Sequence, residues 1–154
     1  MGKEIERKFL VKSNEFKKSA VSRKLQQGYL NSDPERVVRV RTADDQGFLT
    51  VKGISIGASR TEYEYPIPFA DAQEMLNNLC ELDVITKTRF NVSADGNFWE
   101  IDEFHGSNEG LIVAEIELKS IDQGFCHPGW LGEEVTGDPK YYNSNLIRTP
   151  FKDW

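Results

Sequence analysis

This sequence has too little of several things to support the functions that depend on them. Cysteine occurs twice, at Cys80 and Cys126, which builds no disulfide framework and fits two reduced thiols in a cytoplasmic protein. No apolar run approaches the roughly 20 residues that span a bilayer, so no membrane partner is expected. Acids at Glu4 and Glu6 stand where a secretory leader would carry its apolar stretch, so none is expected. Positive charge is in deficit, with 19 Lys and Arg against 25 Asp and Glu, a net charge of −6 and a pI near 5.0. That balance argues against a general nucleic-acid binder but leaves room for a local basic pocket. Histidine is scarce too. His105 ends a strand pattern, and His127 adjoins Cys126, a spacing that chelates one metal poorly. The stretch KGISIGAS has Gly53 and Gly57 but no Lys-Ser/Thr ending, so it is a hairpin loop and not a phosphate-binding loop.

What the chain does have is alternation. At 154 residues, with 38% hydrophobic and 29% charged residues, it is the size of one soluble domain with a real core, and we expect a single domain over 1–154. Period-two patterns predict strands over Lys3–Val11, Lys24–Asn31, Arg36–Thr42, Phe48–Lys52, Arg60–Ile67, Asp83–Asn91, Asn97–Phe104 and Gly110–Lys119. Turn signals such as Asp33-Pro34, Asp95-Gly96 and Gly106-Ser107-Asn108 separate several of them. Helical spacing predicts Asn14–Ala20, Phe69–Leu79 and a tail helix Pro139–Ile147, while glycine-rich Gly124–Gly137 is expected to be loop. The fold class is therefore α+β, mostly β: an antiparallel meander of about eight strands with a few flanking helices.

Each strand sorts its charges onto one face. The first strand, EIERKF, sets Glu4, Glu6 and Lys8 on one side, and a face turned inward would need a reason for such charges. Bases gather on the third, fourth and sixth strands, as Arg39 and Arg41, Lys52, and Lys87 and Arg89. Acids gather on the first, fifth, seventh and eighth, as Glu4 and Glu6, Glu62 and Glu64, Glu100 and Asp102, and Glu115 and Glu117. One strand of this kind is ordinarily a solvated face. A whole set sorted by sign is different, because adjacent like charges repel. Converging Arg and Lys can grip a phosphate chain, and gathered carboxylates are hard oxygen ligands for Mg²⁺ or Mn²⁺. Closing the strands into a barrel would bring both sets to one lumen.

The ordered motifs EIERKF, VRVR, TVKG, TEYEY, KTR, WEIDEF and AEIEL, with the tail EEVTGDPKYYNSNL, resemble the CYTH superfamily, the triphosphate tunnel metalloenzymes, over nearly the whole chain. The resemblance implies a closed eight-stranded antiparallel tunnel that cleaves a phosphoanhydride with a divalent metal. It implies that Lys8, Arg39, Arg41, Lys52, Lys87 and Arg89 bind triphosphate. Glu4, Glu6, Asp102, Glu115 and Glu117 would be metal-side acids, with Glu62 and Glu64 placing a second metal or the attacking water. It also implies a pairing of Tyr29 with Lys87 for acid or base work, and a lysine among Arg39, Arg41 and Arg89 should have a depressed pKa. By parity Arg7 and Glu103 face outward and are left out.

The function expected is metal-dependent hydrolysis of inorganic tripolyphosphate to pyrophosphate and phosphate, with a small-molecule triphosphate as partner and monomer or homodimer left open. Class IV adenylyl cyclase or thiamine or nucleoside triphosphatase activity on the same tunnel is the alternative. A non-catalytic polyphosphate or nucleotide binder is another, but it would not need the acids, which repel a polyanion unless metal intervenes. Trp99, Trp130 and Trp154 are expected to be packing or surface aromatics, and Lys17-Lys18 and Glu133-Glu134 solvated faces.

Overall fold

Alternation governs the chain, and the strands close with their charged side inward. The computed structural model describes residues 2–154. Strands β1 (Gly2–Val11), β2 (Val21–Asn31), β3 (Arg36–Ala43), β4 (Gln46–Gly53), β5 (Ser59–Ile67), β6 (Glu81–Ala94), β7 (Asn97–Phe104) and β8 (Ile112–Glu117) form one antiparallel sheet in the order β5-β4-β3-β2-β6-β7-β8-β1. Pairing of β1 with β5, from Gly2↔Glu62 to Ile5↔Ser59, closes it into the expected eight-stranded barrel. Between β6 and β7 the turn is the two residues Asp95-Gly96, both at positive φ (53° and 78°), the conformation that matches strand twist in a tight hairpin.

Because each strand alternates, closure gives the barrel two chemically opposite faces. The main apolar cores lie outside it. Phe9, Val92, Trp99, Ile101, Ala114 and Ile116 point outward from β1, β6, β7 and β8, and Phe16, Trp130 and Leu131 pack over them. On the far side, helix α1 (Phe69–Asn78) lays Ala72 and Leu76 against Val40 of β3 and Leu49 of β4. The inside is charged except at one end. There Val37, Ile85, Phe104 and Val113 meet Leu146 and Ile147 of the tail, forming an apolar plug.

Three expectations are corrected. The stretch Gly124–Gly137 is not all loop, since Leu131–Glu134 forms a ninth strand, β9. The reason lies in β1: β5 bonds only its first half, which leaves the later edge with unpaired backbone groups. The β9 segment covers that edge through Phe9↔Glu134 and Val11↔Leu131, with Val135 N donating to Lys8 O at 2.8 Å and Lys12 N to Trp130 O at 2.9 Å. The tail helix expected over Pro139–Ile147 is broken: a 3₁₀ turn at Pro139–Tyr141 and a single α turn, α2 (Asn143–Leu146), flank an extended Tyr142 at φ −69°, ψ 133°. The segment expected helical at Asn14–Ala20 is a 3₁₀ turn over Glu15–Ser19. No helix of the described residues is long and apolar enough to cross a membrane.

Candidate active site

Above the apolar plug lies a cavity of about 250 Å³ into which every strand of the barrel points. All the sequence-predicted site positions line it except Asp102, which is buried just beneath. Strand β1 contributes Glu4, Glu6 and Lys8, β3 Arg39 and Arg41, β4 Lys52, and β6 Lys87 and Arg89. Glu62 and Glu64 come from β5, Glu115 and Glu117 from β8, and Tyr29 from β2.

The bases are held by acids of other strands, some adjacent and some across the lumen. Glu64 Oε1 accepts from Arg41 Nη2 at 3.0 Å and from Thr50 Oγ1 at 2.9 Å, with Arg39 Nη2 3.6 Å away. Asp102 takes both Nε and Nη2 of Arg89 at 2.8 and 2.9 Å, and Lys87 Nζ at 2.8 Å. Arg89 Nη1 reaches Glu100 at 3.2 Å. Looser pairs join Lys52 to Glu4 at 3.5 Å and to Glu62 at 3.9 Å, and Lys8 to Glu115 at 3.8 Å. Two donors are left over: Arg39 Nε and Arg41 Nε are buried with no acceptor among the described residues. Buried N–H groups without a partner are costly, so the two guanidinium groups keep unmet hydrogen-bonding capacity at the cavity wall.

Opposite them the carboxyls crowd. Glu4 is pushed up to about 9 by burial and by repulsion from Glu6. Burial and Glu6 likewise raise Glu115, and burial raises Glu117. For Glu6, burial is outweighed by Lys52 and Lys8, and for Glu62 by a proton shared from Glu4 and by Lys52, so both lie below the usual carboxylate range. Among the described residues no three His, Cys, Asp or Glu side chains stand in a ready chelating cluster. The donor chemistry nevertheless fits a hard divalent cation. These are all oxygen ligands, Glu4 Oε2 is buried without a hydrogen bond, and the upward shifts of Glu4 and Glu115 mark a place that favours positive charge.

Burial pushes Lys87 down to about 8, Asp102 opposing and Arg89 adding to the shift, so the lowering expected from Arg39, Arg41 and Arg89 comes chiefly from burial, with Arg89 alone of the three adding to it. Asp102 itself lies well below the aspartate range because, against its burial, Arg89 and Lys87 stabilise its charge. Arg41 is lowered to about 10 by burial and by Arg39. Burial raises the Tyr29 phenol. The structure does not pair Tyr29 directly with Lys87. Tyr29 OH accepts from Gln27 Nε2 at 3.1 Å, and Gln27 Nε2 and Lys87 Nζ both donate to Asn143 Oδ1, at 3.1 and 3.0 Å. The two are therefore linked through Gln27 and Asn143. This also separates the acids into two groups: Asp102 and Glu64 are committed to bases, while Glu4, Glu6, Glu62, Glu115 and Glu117 form the carboxyl cluster.

Sequence reasoning left six lining residues out of the site: Val37, Arg60, Glu100, Tyr142, Asn143 and Ser144. Strand parity was enough to find three of them, since Val37 shares a face with Arg39 and Arg41, Arg60 with Glu62 and Glu64, and Glu100 with Asp102. The tail residues carry no such signal, because an irregular segment places them.

The chain matches the CYTH domain family over residues 2–145. It is 51% identical over 154 residues to an inorganic triphosphatase of Acetivibrio thermocellus, covering 100% of this chain and 99% of that one. An inorganic triphosphatase of Nitrosomonas europaea is 39% identical over 148 residues, covering 93% of this chain and 95% of the other. A solved inorganic triphosphatase structure superposes with a TM-score of 0.68 at 36% identity, covering 94% of this chain and 93% of that chain. On the family match and on the relatedness of the whole chain, this protein belongs to the CYTH domain family.

Proposed function

We propose that this protein is an inorganic triphosphatase, a divalent-metal-dependent enzyme that hydrolyses tripolyphosphate to pyrophosphate and phosphate. The observation that carries this reading is the lining of the cavity: bases and carboxylates from seven of the eight strands of a closed barrel, with Val37 its single aliphatic side chain among the described residues. A chain of phosphates is all charge and matches such a lining, whereas an organic triphosphate would leave its base or ring against ions. The relatives named above carry the same activity in their names.

Phosphoryl transfer asks a protein mainly for positioning and for charge placed where charge develops. Arg39, Arg41, Lys52 and Arg89 grip the phosphate oxygens, and Lys8 extends that grip toward the tail. Asp102 fixes Arg89 and Lys87 from below. With its pKa near 8, Lys87 Nζ can gain or lose a proton close to neutral pH, while Tyr29, held protonated, donates. Glu4, Glu6, Glu62, Glu115 and Glu117 would hold the cation, Mg²⁺ or Mn²⁺, which supplies charge neutralisation on the phosphates and a bound water of lowered pKa. We take residues 1–154 to act as one domain, in the cytoplasm, on a free small-molecule substrate.

The test is phosphate release from tripolyphosphate, pyrophosphate, ATP and thiamine triphosphate with Mg²⁺ or Mn²⁺, with Glu6→Gln and Arg41→Ala alongside. Metal-dependent cleavage of tripolyphosphate, lost in both variants and weak on the other substrates, is the expected result. Faster turnover of an organic triphosphate, or formation of cyclic AMP from ATP, would overturn the substrate assignment.

A further inference from the structure

We propose that Asn143, in the first turn of α2, is a positioning residue that orients Lys87 for the reaction and so ties the C-terminal tail to catalysis. This rests on the triphosphatase reading above.

The geometry is specific. The Lys87 side chain is 2% exposed, so the protein must replace its water. Its ammonium has three N–H bonds in tetrahedral arrangement. Asp102 Oδ2 takes one at 2.8 Å and Asn143 Oδ1 another at 3.0 Å. With two directions fixed, the third is fixed as well, and Lys87 lines the cavity. Without Asn143 one constraint disappears, and the lysine pivots about its single bond to Asp102.

Asn143 is itself oriented. Its Oδ1 also accepts from Gln27 Nε2, a fully buried side chain that bonds the Tyr29 hydroxyl as well. Exchanging oxygen and nitrogen on Asn143 would set donor against donor at both Lys87 and Gln27, so the amide has one workable orientation. Its Nδ2 then has no hydrogen bond to any described residue and remains available to the cavity that Asn143 lines. The segment carrying Asn143 is firmly seated. Leu146 and Ile147 fill the apolar plug, Asn145 Nδ2 donates to Pro139 O at 2.7 Å, and Trp154 packs edge-on against Tyr141 and Phe151. A brace is only as good as its mounting, and this one is mounted on buried apolar contacts.

A tail residue could instead serve only to tether the tail, so the test is a double-mutant cycle on the full-length protein with tripolyphosphate and Mn²⁺. Misplacing a reacting group by an ångström costs about 100-fold, so Asn143→Ala is expected to lower kcat by ~10- to 100-fold and to change KM by less than about 3-fold. If Asn143 acts through Lys87, the same change in a Lys87→Ala background costs less than about 3-fold more, because the partner is already gone. Asn143→Asp keeps the acceptor and the volume and is expected to recover most of kcat, while its charge raises KM. It also carries the test should the alanine variant unfold, as thermal melts would reveal. Equal losses from Asn143→Ala with and without Lys87, an effect on KM alone, or an Asp variant no better than Ala would overturn the proposal. Wild-type turnover is read first: its absence overturns the triphosphatase reading and this inference with it. An active wild type with unchanged Asn143→Ala kinetics overturns this inference alone.

Discussion

Glu4→Gln should make the metal-free protein more stable while removing activity, and the size of the gain follows from the site. The Glu4 side chain is 13% exposed, with Glu6 two residues along on the same face, Glu62 on the neighbouring strand and only a 3.5 Å approach to Lys52 in compensation. Burial first, and then Glu6, raise its pKa to about 9 from an ordinary value of 4.5. In the folded state the carboxyl therefore holds a proton that the unfolded chain has already released. Stability from this group is fully present below about pH 4.5 and is lost as pH rises toward 9, at a limiting slope of about 1.4 kcal/mol per pH unit. Glu6 and Glu62, which are lowered, return part of that loss. We expect a net penalty of about 1–3 kcal/mol at pH 7.5, which the neutral amide removes while keeping a donor toward Glu62.

For a domain of this size that corresponds to a rise in Tm of roughly 2–10 °C at pH 7.5, with little or no gain at pH 4.5. Thermal melts in EDTA from pH 4.5 to 8 read it directly. The window ends at pH 8 because Lys87 then contributes the opposite slope: its folded pKa lies below its unfolded value, so its share of stability grows as pH rises past about 8. A Glu4→Gln protein that is less stable than wild type at pH 7.5, or that gains equally at both ends of the range, would refute the account of a crowded carboxyl cluster.

Asp102→Asn leaves Lys87 and Arg89 buried with their shared partner gone, and should cost about 3–5 kcal/mol at pH 7 by urea unfolding. The loss should be smaller at pH 9, where Lys87 can release its proton. Gly28→Ala places a Cβ 2.5 Å from Cys80 Sγ, so it should cost about 1–3 kcal/mol by the same assay, and Cys80→Ala in that background should restore part of it.

How much of this was legible in the sequence depended on periodicity. The period of two in VRVR, TEYEY and AEIEL assigned a face to nearly every charge, and those faces converge on one cavity. Parity says that residues share a side but not whether the side is wet or enclosed. Closure depends on the β1–β5 pairing, a contact between positions nearly 60 residues apart that carries no local signature. The β9 strand was hidden for a related reason: LGEE has no alternation of its own and is a strand because β1 offers it an edge. Asn143 was invisible because Tyr142 breaks the tail helix and redirects the chain into the lumen, which no helical spacing anticipates. Lys87 was legible by residue type and face, but its partners were not, because Gln27 is an uncharged residue in a strand that attracted attention only at Tyr29.

The cavity also holds its own substitute for substrate. Glu64 Oε1 sits 3.0 Å from Arg41 Nη2 and 3.6 Å from Arg39 Nη2, where it neutralises two guanidinium groups that phosphate oxygens would otherwise take. With its side chain 34% exposed it is far easier to displace than Asp102 at 5%. An incoming polyanion must push Glu64 aside or bind beside it, so its carboxylate works against anion binding when no cation is present. Glu64→Gln keeps an acceptor for Arg41 and Thr50 but removes the competing charge. Tripolyphosphate binding in EDTA, measured by calorimetry, should then tighten by about 3- to 10-fold, equivalent to ~0.7–1.4 kcal/mol. Unchanged or weaker binding would mean that Glu64 presents the arginines to the substrate and does not compete with it for them.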